Sequence, residues 1–479
     1  MNKINKFYFL LLFIIIYSYA KAQDSLYYKL KIDTTYCNLN FYSNKTAKQL
    51  KALFNSIKEE KLVVFHYGGS HIQAEMPTTV ARENLTQLFG EGGRGMIFPY
   101  NIANTYSSVN YSIKYTGQWK YGKSFQFPAP IPLGVCGMAV QTIDTSAKIN
   151  FKFKNAISEN NFELKLLMNV DSLSPTFYLK IDTTTFSIDE NRIKENIGKD
   201  FISVNYSGAI NEISIELKEY DTTFQFSFYG IDIETQKQSG IVYHSLGVGA
   251  APFRSILNIE HLEKHATILK PDLVILDFGT NDILFKNAID EKLSEQIEKS
   301  IERFRKINPS ILIVLTSTQD LFYKKKFITA GISFRNLIDS LSKKNDCLFW
   351  NWYDLSGGFG TIKTWNELGY AKKDGIHLTH DGYKIKGKLL FNSLMNTLRE
   401  INKNNEITDF HSGLKYYEIK KQSSRKQQNN FSSINYHRVK SGETLSSIAR
   451  KYNISVKKIK ELNQLQTDII TPGEALKIN

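Results

Sequence analysis

An apolar run near the start of the chain ends abruptly in two glycines and a serine: Val63-Val64-Phe65-His66-Tyr67-Gly68-Gly69-Ser70-His71-Ile72. The run predicts a buried strand. The glycines predict a tight turn, because glycine adopts backbone angles that a Cβ would forbid. Ser70 would then stand at the carboxyl edge of a sheet with its hydroxyl exposed. Serine after glycine is also common in ordinary turns, so a nucleophile and a structural turn residue both stay open here.

Three later segments place glycine or polar residues where a predicted strand or loop ends. They are Leu246-Gly247-Val248-Gly249-Ala250, the strand-like Leu273–Phe278 followed by Gly279-Thr280-Asn281-Asp282, and Asp374-Gly375-Ile376-His377-Leu378. Taken in order with the first stretch, these segments resemble the motif blocks of the SGNH or GDSL hydrolase family. The resemblance implies a three-layer α/β fold with a parallel sheet and the activity of a serine esterase.

The resemblance also assigns a role to each motif residue. It makes Ser70 the nucleophile, His377 the general base and Asp374 the partner that orients the histidine. The Ser70 N–H, Gly249 and Asn281 would donate hydrogen bonds to the oxyanion. Each role has a physical reason, since a serine hydroxyl needs a base to take its proton and the negative charge that develops on the carbonyl oxygen needs preorganised donors.

Two features of the first stretch bear on how far this resemblance reaches. The family usually has Asp before the serine, where this chain has Gly69. The elbow of the α/β-hydrolases, Gly-x-Ser-x-Gly, fits worse because position 72 is Ile.

His66, His71 and His380 lie close to the motifs, but their spacing matches no familiar pattern of zinc ligands. We therefore expect neither a metal nor a cofactor.

Composition and the N-terminus indicate where the protein acts. The 479 residues are 42% hydrophobic, and Lys+Arg 61 against Asp+Glu 47 gives a net charge of +14, which suits an anionic partner. Lys3 and Lys6 precede an apolar run, and Ala20-Lys21-Ala22-Gln23 supplies a cleavage pattern, so residues 1–22 predict a signal peptide. The run is short for a stable membrane span. We expect an exported protein, periplasmic or extracellular and associated with the cell wall, with no nucleic-acid partner.

The pattern of strand-like and helical segments divides the predicted hydrolase region into two parts. Residues 23–99 form its first part and residues 236–400, where strand-like and helical segments alternate, form its second. Between them, residues 100–235 run in short period-two segments such as Lys148–Phe153 and Glu212–Leu217. This pattern predicts an inserted antiparallel β-sandwich.

The insert allows two interpretations. Its position and β-rich texture resemble the carbohydrate-binding-type module in the peptidoglycan O-acetylesterase branch of the SGNH family. A sandwich that only shields the active-site mouth fits equally well. Trp119 with Tyr115 and Tyr121 would suit stacking on sugars, although aromatic residues in β-domains more often belong to the core.

The C-terminal region predicts a polar linker over residues 401–435 and a small folded domain over residues 436–479. Leu445, Ile448, Ala449 and Tyr452 make one helical face, and a second helical pattern follows before a short strand-like end. The pattern resembles a LysM domain, a βααβ unit. The resemblance implies binding to peptidoglycan or another glycan that contains N-acetylglucosamine.

Together these features predict an exported SGNH-type serine esterase that removes O-acetyl groups from a cell-wall glycan, with peptidoglycan as the first candidate. The LysM domain would hold the enzyme on that glycan and raise the local substrate concentration. Two alternatives stay open. One is an inactive glycan-binding protein with the hydrolase fold, and the other is a lipase or xylan-type acetylesterase that LysM only anchors.

Overall fold

The computed structural model describes residues 25–218, 224–285, 287–403, 436–439, 443–463, 465, 467–468, 470 and 475–478. The predicted signal peptide and residues 404–435 of the predicted linker lie outside the described residues. Those that are described fall into two compact units, 25–403 and 436–478. Within them, no helix has the length and apolar character needed to cross a membrane.

The secondary structure alternates between strands and helices at both ends of the larger unit and is mainly strand between them. The strands are β1 Lys61–Gly68, β2 Glu91–Ile97, β3 Tyr111–Thr116, β4 Lys120–Lys123, β5 Met138–Thr142, β6 Lys148–Met168, β7 Phe177–Ile181, β8 Thr184–Ile188, β9 Phe201–Leu217, β10 Phe226–Thr235, β11 Gly240–Gly247, β12 Leu273–Asp277, β13 Leu312–Thr316, β14 Phe322–Tyr323, β15 Lys326–Phe327, β16 Leu348–Trp350, β17 Tyr436–Arg438 and β18 Ala475–Lys477. The α-helices are α1 Asn44–Ser56, α2 Ser70–Gln73, α3 Met76–Phe89, α4 Glu190–Lys194, α5 Leu262–Leu269, α6 Thr280–Ile283, α7 Leu293–Ile307, α8 Ala330–Lys344, α9 Trp352–Leu355, α10 Thr361–Glu367, α11 His380–Lys403, α12 Leu445–Tyr452 and α13 Val456–Asn463.

A parallel sheet with the order β16-β13-β12-β1-β11-β2 forms the core of the larger unit. Strand β1 pairs with β11 on one side and β12 on the other, so Gly68 lies beside both Gly247 and Asp277. The carboxyl ends of the three strands therefore meet at one edge, where ligands bind in sheets of this kind. The α/β fold class predicted from the sequence is confirmed.

Successive side chains of β1 point to opposite faces of this sheet, and helices cover both faces. Val64 packs with Phe54 of α1, Leu85 of α3 and Leu390 of α11. Phe65 belongs to the buried cluster on the opposite face, which includes side chains of α5, α7 and α8. Burial on both faces explains why the strand is a continuous apolar run in the sequence.

The β-rich segment extends the same sheet instead of forming a sheet of its own. β2 pairs in parallel with β11 and antiparallel with β10, and the order continues β10-β6-β9-β7-β8. The antiparallel pairing predicted for this segment is confirmed. Trp119 and Tyr121 are partly buried against the core, whereas Tyr115 keeps 46% of its surface exposed. The segment boundaries at 99/100 and 235/236 stay predictions.

The smaller unit is a βααβ fold, as predicted. β17 and β18 pair antiparallel, and α12 and α13 lie between them in the chain. Thr444 caps α12, because its side chain accepts a hydrogen bond from the Ser447 N–H. The core is made of Val439, Leu445, Ile448, Ala449, Ile459, Leu476 and Ile478.

Candidate active site

Both glycines of the turn after β1 lie in close contact with neighbouring segments, and the contacts are tightest at Gly68. A Cβ at Gly68 would lie 2.4 Å from the Ile72 side chain and 2.6 Å from the Asp277 carbonyl oxygen. A Cβ at Gly69 would lie 3.0 Å from the Asn281 amide nitrogen. The first glycine therefore lets β1 end against α2 and β12. The second leaves room for the Asn281 side chain beside the residue that precedes Ser70.

Ser70 opens α2 directly after this turn, at the carboxyl edge of the sheet. Its Oγ lies 2.7 Å from His377 Nε2, although the two residues are 307 positions apart in the sequence. The serine is partly buried. The structure thus places this hydroxyl in hydrogen-bond contact with the imidazole that the resemblance assigns as its base.

The loop before α11 holds His377 against Asp374. His377 Nδ1 lies 2.8 Å from Asp374 Oδ2, and Asp374 Oδ1 accepts hydrogen bonds from the Ile376 and His377 amides, each at 2.9 Å. Partial burial acts to raise the pKa of the Asp374 carboxyl, but these three hydrogen bonds outweigh it and hold the pKa below its ordinary value. An ionised Asp374 accepts from Nδ1–H, so Nε2 carries the lone pair that faces Ser70.

Gly249 follows β11 and lies against Gln73 of α2. The Gly249 N–H donates to the Gln73 side-chain oxygen at 2.5 Å. The Gln73 amide group in turn donates to Thr105 Oγ1 and to the Tyr106 carbonyl oxygen, both at 2.7 Å. In this structure the Gly249 N–H therefore already has an acceptor, and its role as an oxyanion donor stays a prediction.

Asn281 lies in α6, the short helix that follows β12. Its amide nitrogen donates to the Ala251 carbonyl oxygen at 3.2 Å and lies beside Gly69. The next residue, Asp282, accepts hydrogen bonds from the Phe253 and Gly279 amides at 3.0 and 3.1 Å. Burial raises the pKa of Asp282 to about 6, although these amides act to lower it. Asp282 thus ties the Asn281 turn to the loop after β11.

His71 has a structural part in the site that the sequence did not reveal. Its Nε2 lies 3.2 Å from the Gln319 amide nitrogen, which can only donate, so Nδ1 carries the proton and faces the Tyr383 hydroxyl at 2.9 Å. Burial, followed by the charge of Lys386, lowers the pKa of His71 well below its ordinary value. Gln319 also donates to the Ile376 carbonyl oxygen at 2.8 Å. A neutral His71 therefore connects the turn at Ser70 to the loop that carries His377.

A buried ion pair lies beneath the edge of the sheet. Lys386 Nζ of α11 is 2.7 Å from Asp277 Oδ2 at the end of β12, and His66 Nε2 is 3.4 Å from the same oxygen. Burial acts to raise the pKa of Asp277, but Lys386 and His66 outweigh it and hold the pKa far below its ordinary value. The pair fastens α11 to β12, the strand that precedes Asn281. His380, by contrast, is exposed and faces Asp381.

Comparison with known proteins identifies both units. Residues 234–385 match the GDSL-like Lipase/Acylhydrolase family, and residues 437–479 match the LysM domain. The chain joins a GDSL-like acylhydrolase domain to a LysM domain. The larger unit has the SGNH-like fold that was expected from the sequence. The first match contains Gly249, Asn281, Asp374 and His377 and begins after Ser70.

Individual proteins resemble either the LysM domain or the hydrolase unit. The N-acetylmuramoyl-L-alanine amidase sle1 of Staphylococcus saprophyticus is 51% identical over 43 residues, which are 9% of this chain and 13% of the amidase. The probable autolysin SsaALP of Staphylococcus aureus is 50% identical over 42 residues, 9% of this chain and 16% of the autolysin. The chain thus spans less than a fifth of these curated relatives.

A solved peptidoglycan O-acetylesterase structure resembles the larger part of the chain. The likeness covers 76% of this chain and 99% of the other, with a TM-score of 0.62 and 20% sequence identity. At this identity the likeness establishes a shared fold.

Proposed function

We propose that this protein is an exported serine esterase that removes O-acetyl groups from a cell-wall glycan, with peptidoglycan as its substrate. The observation that carries the proposal is the chain of contacts from Ser70 Oγ to His377 Nε2 at 2.7 Å and from His377 Nδ1 to Asp374 at 2.8 Å. This geometry suits nucleophilic catalysis at an ester carbonyl. No step of that reaction needs a cofactor.

The reaction follows from the positions of these groups. Ser70 Oγ attacks the acetyl carbonyl carbon while His377 Nε2 takes its proton, and Asp374 stabilises the resulting imidazolium. The imidazolium returns the proton to the sugar oxygen, which leaves as an alcohol, and an acetyl-serine remains. Water then attacks this ester with His377 as base, and acetate departs.

The oxyanion formed in each half-reaction needs donors at the same edge of the sheet. We assign the Ser70 N–H and the Asn281 amide to this role, since both adjoin the turn at Gly69. The Gly249 N–H would join them once it leaves the Gln73 oxygen that it contacts here. Its release upon substrate binding belongs to the proposal.

The choice of peptidoglycan rests on the LysM domain that follows the esterase domain and on the proteins that resemble the two domains. A LysM domain follows it in the chain, the curated relatives of that domain are named as an amidase and an autolysin, and the structure with the same fold is a peptidoglycan O-acetylesterase. The predicted signal peptide would export the protein to the compartment that holds this glycan. Its basic composition suits an anionic wall.

The test is acetate release from O-acetylated peptidoglycan by the wild type and by Ser70→Ala. We expect release by the wild type and a fall of at least about 10³-fold in the variant, since the attacking oxygen is gone. Thermal unfolding of both proteins controls for loss of fold. Wild-type turnover by Ser70→Ala would contradict the assignment of Ser70 as the nucleophile. Activity on acetylated xylan but not on peptidoglycan would contradict the assignment of peptidoglycan as the substrate.

A further inference from the structure

A small hairpin stands beside the catalytic loop. It is formed by β14 and β15, with Lys324 and Lys325 as the turn between them. The Phe322 N–H donates to the Gly375 carbonyl oxygen at 2.9 Å, and Gly375 lies two residues before His377. A Cβ at Gly375 would lie only 2.2 Å from the Phe322 carbonyl oxygen. The base of the hairpin is therefore fixed against the loop that carries the general base.

The residues that follow β15 are fixed to the segment after Asn281. The Ala330 N–H, just after β15, donates to Asn287 Oδ1 at 3.0 Å, and the Asn287 amide donates to Thr329 Oγ1 at 3.2 Å. The hairpin thus bridges the segment after the proposed oxyanion donor and the loop of the proposed base.

An aromatic edge, Phe285 and Tyr323, joins the hairpin to the segment after Asn281. The two rings meet edge to face with centroids 6.0 Å apart, and Phe285 leaves 72% of its surface exposed. Phe285 lies four residues after Asn281. An exposed aromatic ring held in place by a second ring is a common platform for sugar rings, since the apolar face of a sugar stacks on it.

Five exposed lysines, the lysine rim, lie on the hairpin and on the loop before His377. The rim consists of Lys324, Lys325 and Lys326 on the hairpin and Lys372 and Lys373 on the catalytic loop, and all five side chains are exposed. Within the described part of the chain, none of these five lysines forms an ion pair with a carboxylate. Asp374, the carboxylate next to the rim, is held by His377. The rim is therefore positive charge that the protein itself does not neutralise.

The backbone supports a functional reason for these lysines. Lys324 and Lys325 have φ of 47° and 63°, the left-handed region that a two-residue hairpin turn of type I′ requires at both positions. Asn and Gly normally occupy such turns, because other residues adopt these angles at a cost in free energy. Two adjacent lysines at these positions point to a use for their side chains.

We propose that the aromatic edge and the lysine rim form a subsite for a glycan that carries carboxylates close to the acetylated sugar. Phe285 stacks on a neighbouring sugar ring, and the rim binds the carboxylates. This inference rests on the proposed function and narrows its substrate class, since it selects acidic acetylated glycans over neutral ones.

The test compares one substrate in two charge states. Soluble O-acetylated peptidoglycan fragments are used as prepared and after conversion of their carboxyl groups to amides, and acetate release gives kcat/KM. The variant replaces Lys324, Lys325 and Lys326 with Gln. The control replaces Lys58, Lys306 and Lys343 with Gln, which removes the same charge near the amino ends of β1, β13 and β16.

The preference is the ratio of kcat/KM for charged fragments to kcat/KM for amidated fragments. We expect this ratio to be about ten-fold lower in the hairpin variant than in the wild type, mainly through KM. In the wild type the ratio should fall with added salt. The control variant should keep the wild-type preference. Phe285→Ala should raise KM about three- to ten-fold for both fragments, whereas Tyr28→Ala, an exposed aromatic residue elsewhere, should not.

Several outcomes overturn the inference. An equal preference in the wild type and the hairpin variant removes the lysine subsite, as does an equal loss in the control variant. If wild-type enzyme releases no acetate from either fragment, the proposed function and the subsite both fail. If it releases acetate and the variants match it, only the subsite fails.

Discussion

The imidazole rings of His71 and His377 lie 5.1 Å apart, with an angle of 30° between their planes. His71 makes hydrogen bonds with Tyr383 and Gln319, and Gln319 also donates to the Ile376 carbonyl oxygen. We therefore infer that His71 is a positioning residue, since it packs against the ring that contacts Ser70. We expect His71→Phe, which keeps a ring but loses both hydrogen bonds, to lower kcat about ten- to hundred-fold with little change in KM.

Tyr383→Phe tests the same connection from the other side, because it removes one hydroxyl and leaves the packing intact. It should change kcat in the same direction by a smaller factor. Initial rates on a soluble acetyl ester over a range of concentrations separate kcat from KM. An effect confined to KM in both variants would contradict a positioning role.

The buried pair of Lys386 and Asp277 predicts a large loss of stability in Lys386→Met. Both side chains are at most 4% exposed, so the substitution leaves a buried carboxylate without its partner. The expected loss in free energy of unfolding is about 3–5 kcal/mol. Lys384→Met is a matched control two residues earlier, where Lys384 is 53% exposed and pairs with Asp381, and should cost less than about 1 kcal/mol. Equal costs in urea unfolding would contradict the prediction.

Asp282 predicts a pH dependence of stability. Its pKa is raised to about 6 in the folded protein, against about 3.9 for an unfolded chain, so the folded state binds the proton more tightly. Its contribution to stability is therefore complete below about pH 4 and is lost as pH rises through 6, by at most about 3 kcal/mol. Asp282→Asn removes this loss. Unfolding free energies at several pH values between about 4 and 7 should fall more steeply in the wild type than in the variant, and parallel curves would be inconsistent with this.

Removal of the chain after Lys403 separates anchoring from chemistry. The truncated protein keeps the whole of α11 and every residue assigned to the site. Turnover of a small soluble acetyl ester should stay close to that of the full chain. Binding to insoluble peptidoglycan and acetate release from it should both fall, because the high effective concentration supplied by the LysM domain is lost.

Co-sedimentation and acetate assays on both proteins decide this point. An equal loss on the soluble ester would mean that the C-terminal region is part of the catalytic fold. Unchanged binding to peptidoglycan would place glycan recognition in the part of the chain that the truncation keeps, either in residues 100–235 or at the proposed subsite.

The sequence predicted the features of the site that depend on short-range signals. Gly68 and Gly69 after an apolar run, Asn281 after another, and Asp374 three residues before His377 each leave a local pattern. The contacts of His71 do not, because its partners Gln319 and Tyr383 are 248 and 312 residues away. The hydrogen bond from the Gly249 N–H to Gln73 could not be predicted from the sequence either, because an amide side chain near a turn has many possible acceptors and donors.

The pairing of β2 with β10 has a consequence for engineering. Excision of residues 100–235 would remove β10 and leave β2 as a bare edge strand, with the amides and carbonyls that now bond to Ile231, Asp232 and Ile233 exposed to solvent. Such an edge invites pairing with another copy of the chain. A shortened version of the larger unit must therefore keep β10, or blunt the β2 edge with a charged or proline substitution, to avoid association through that edge.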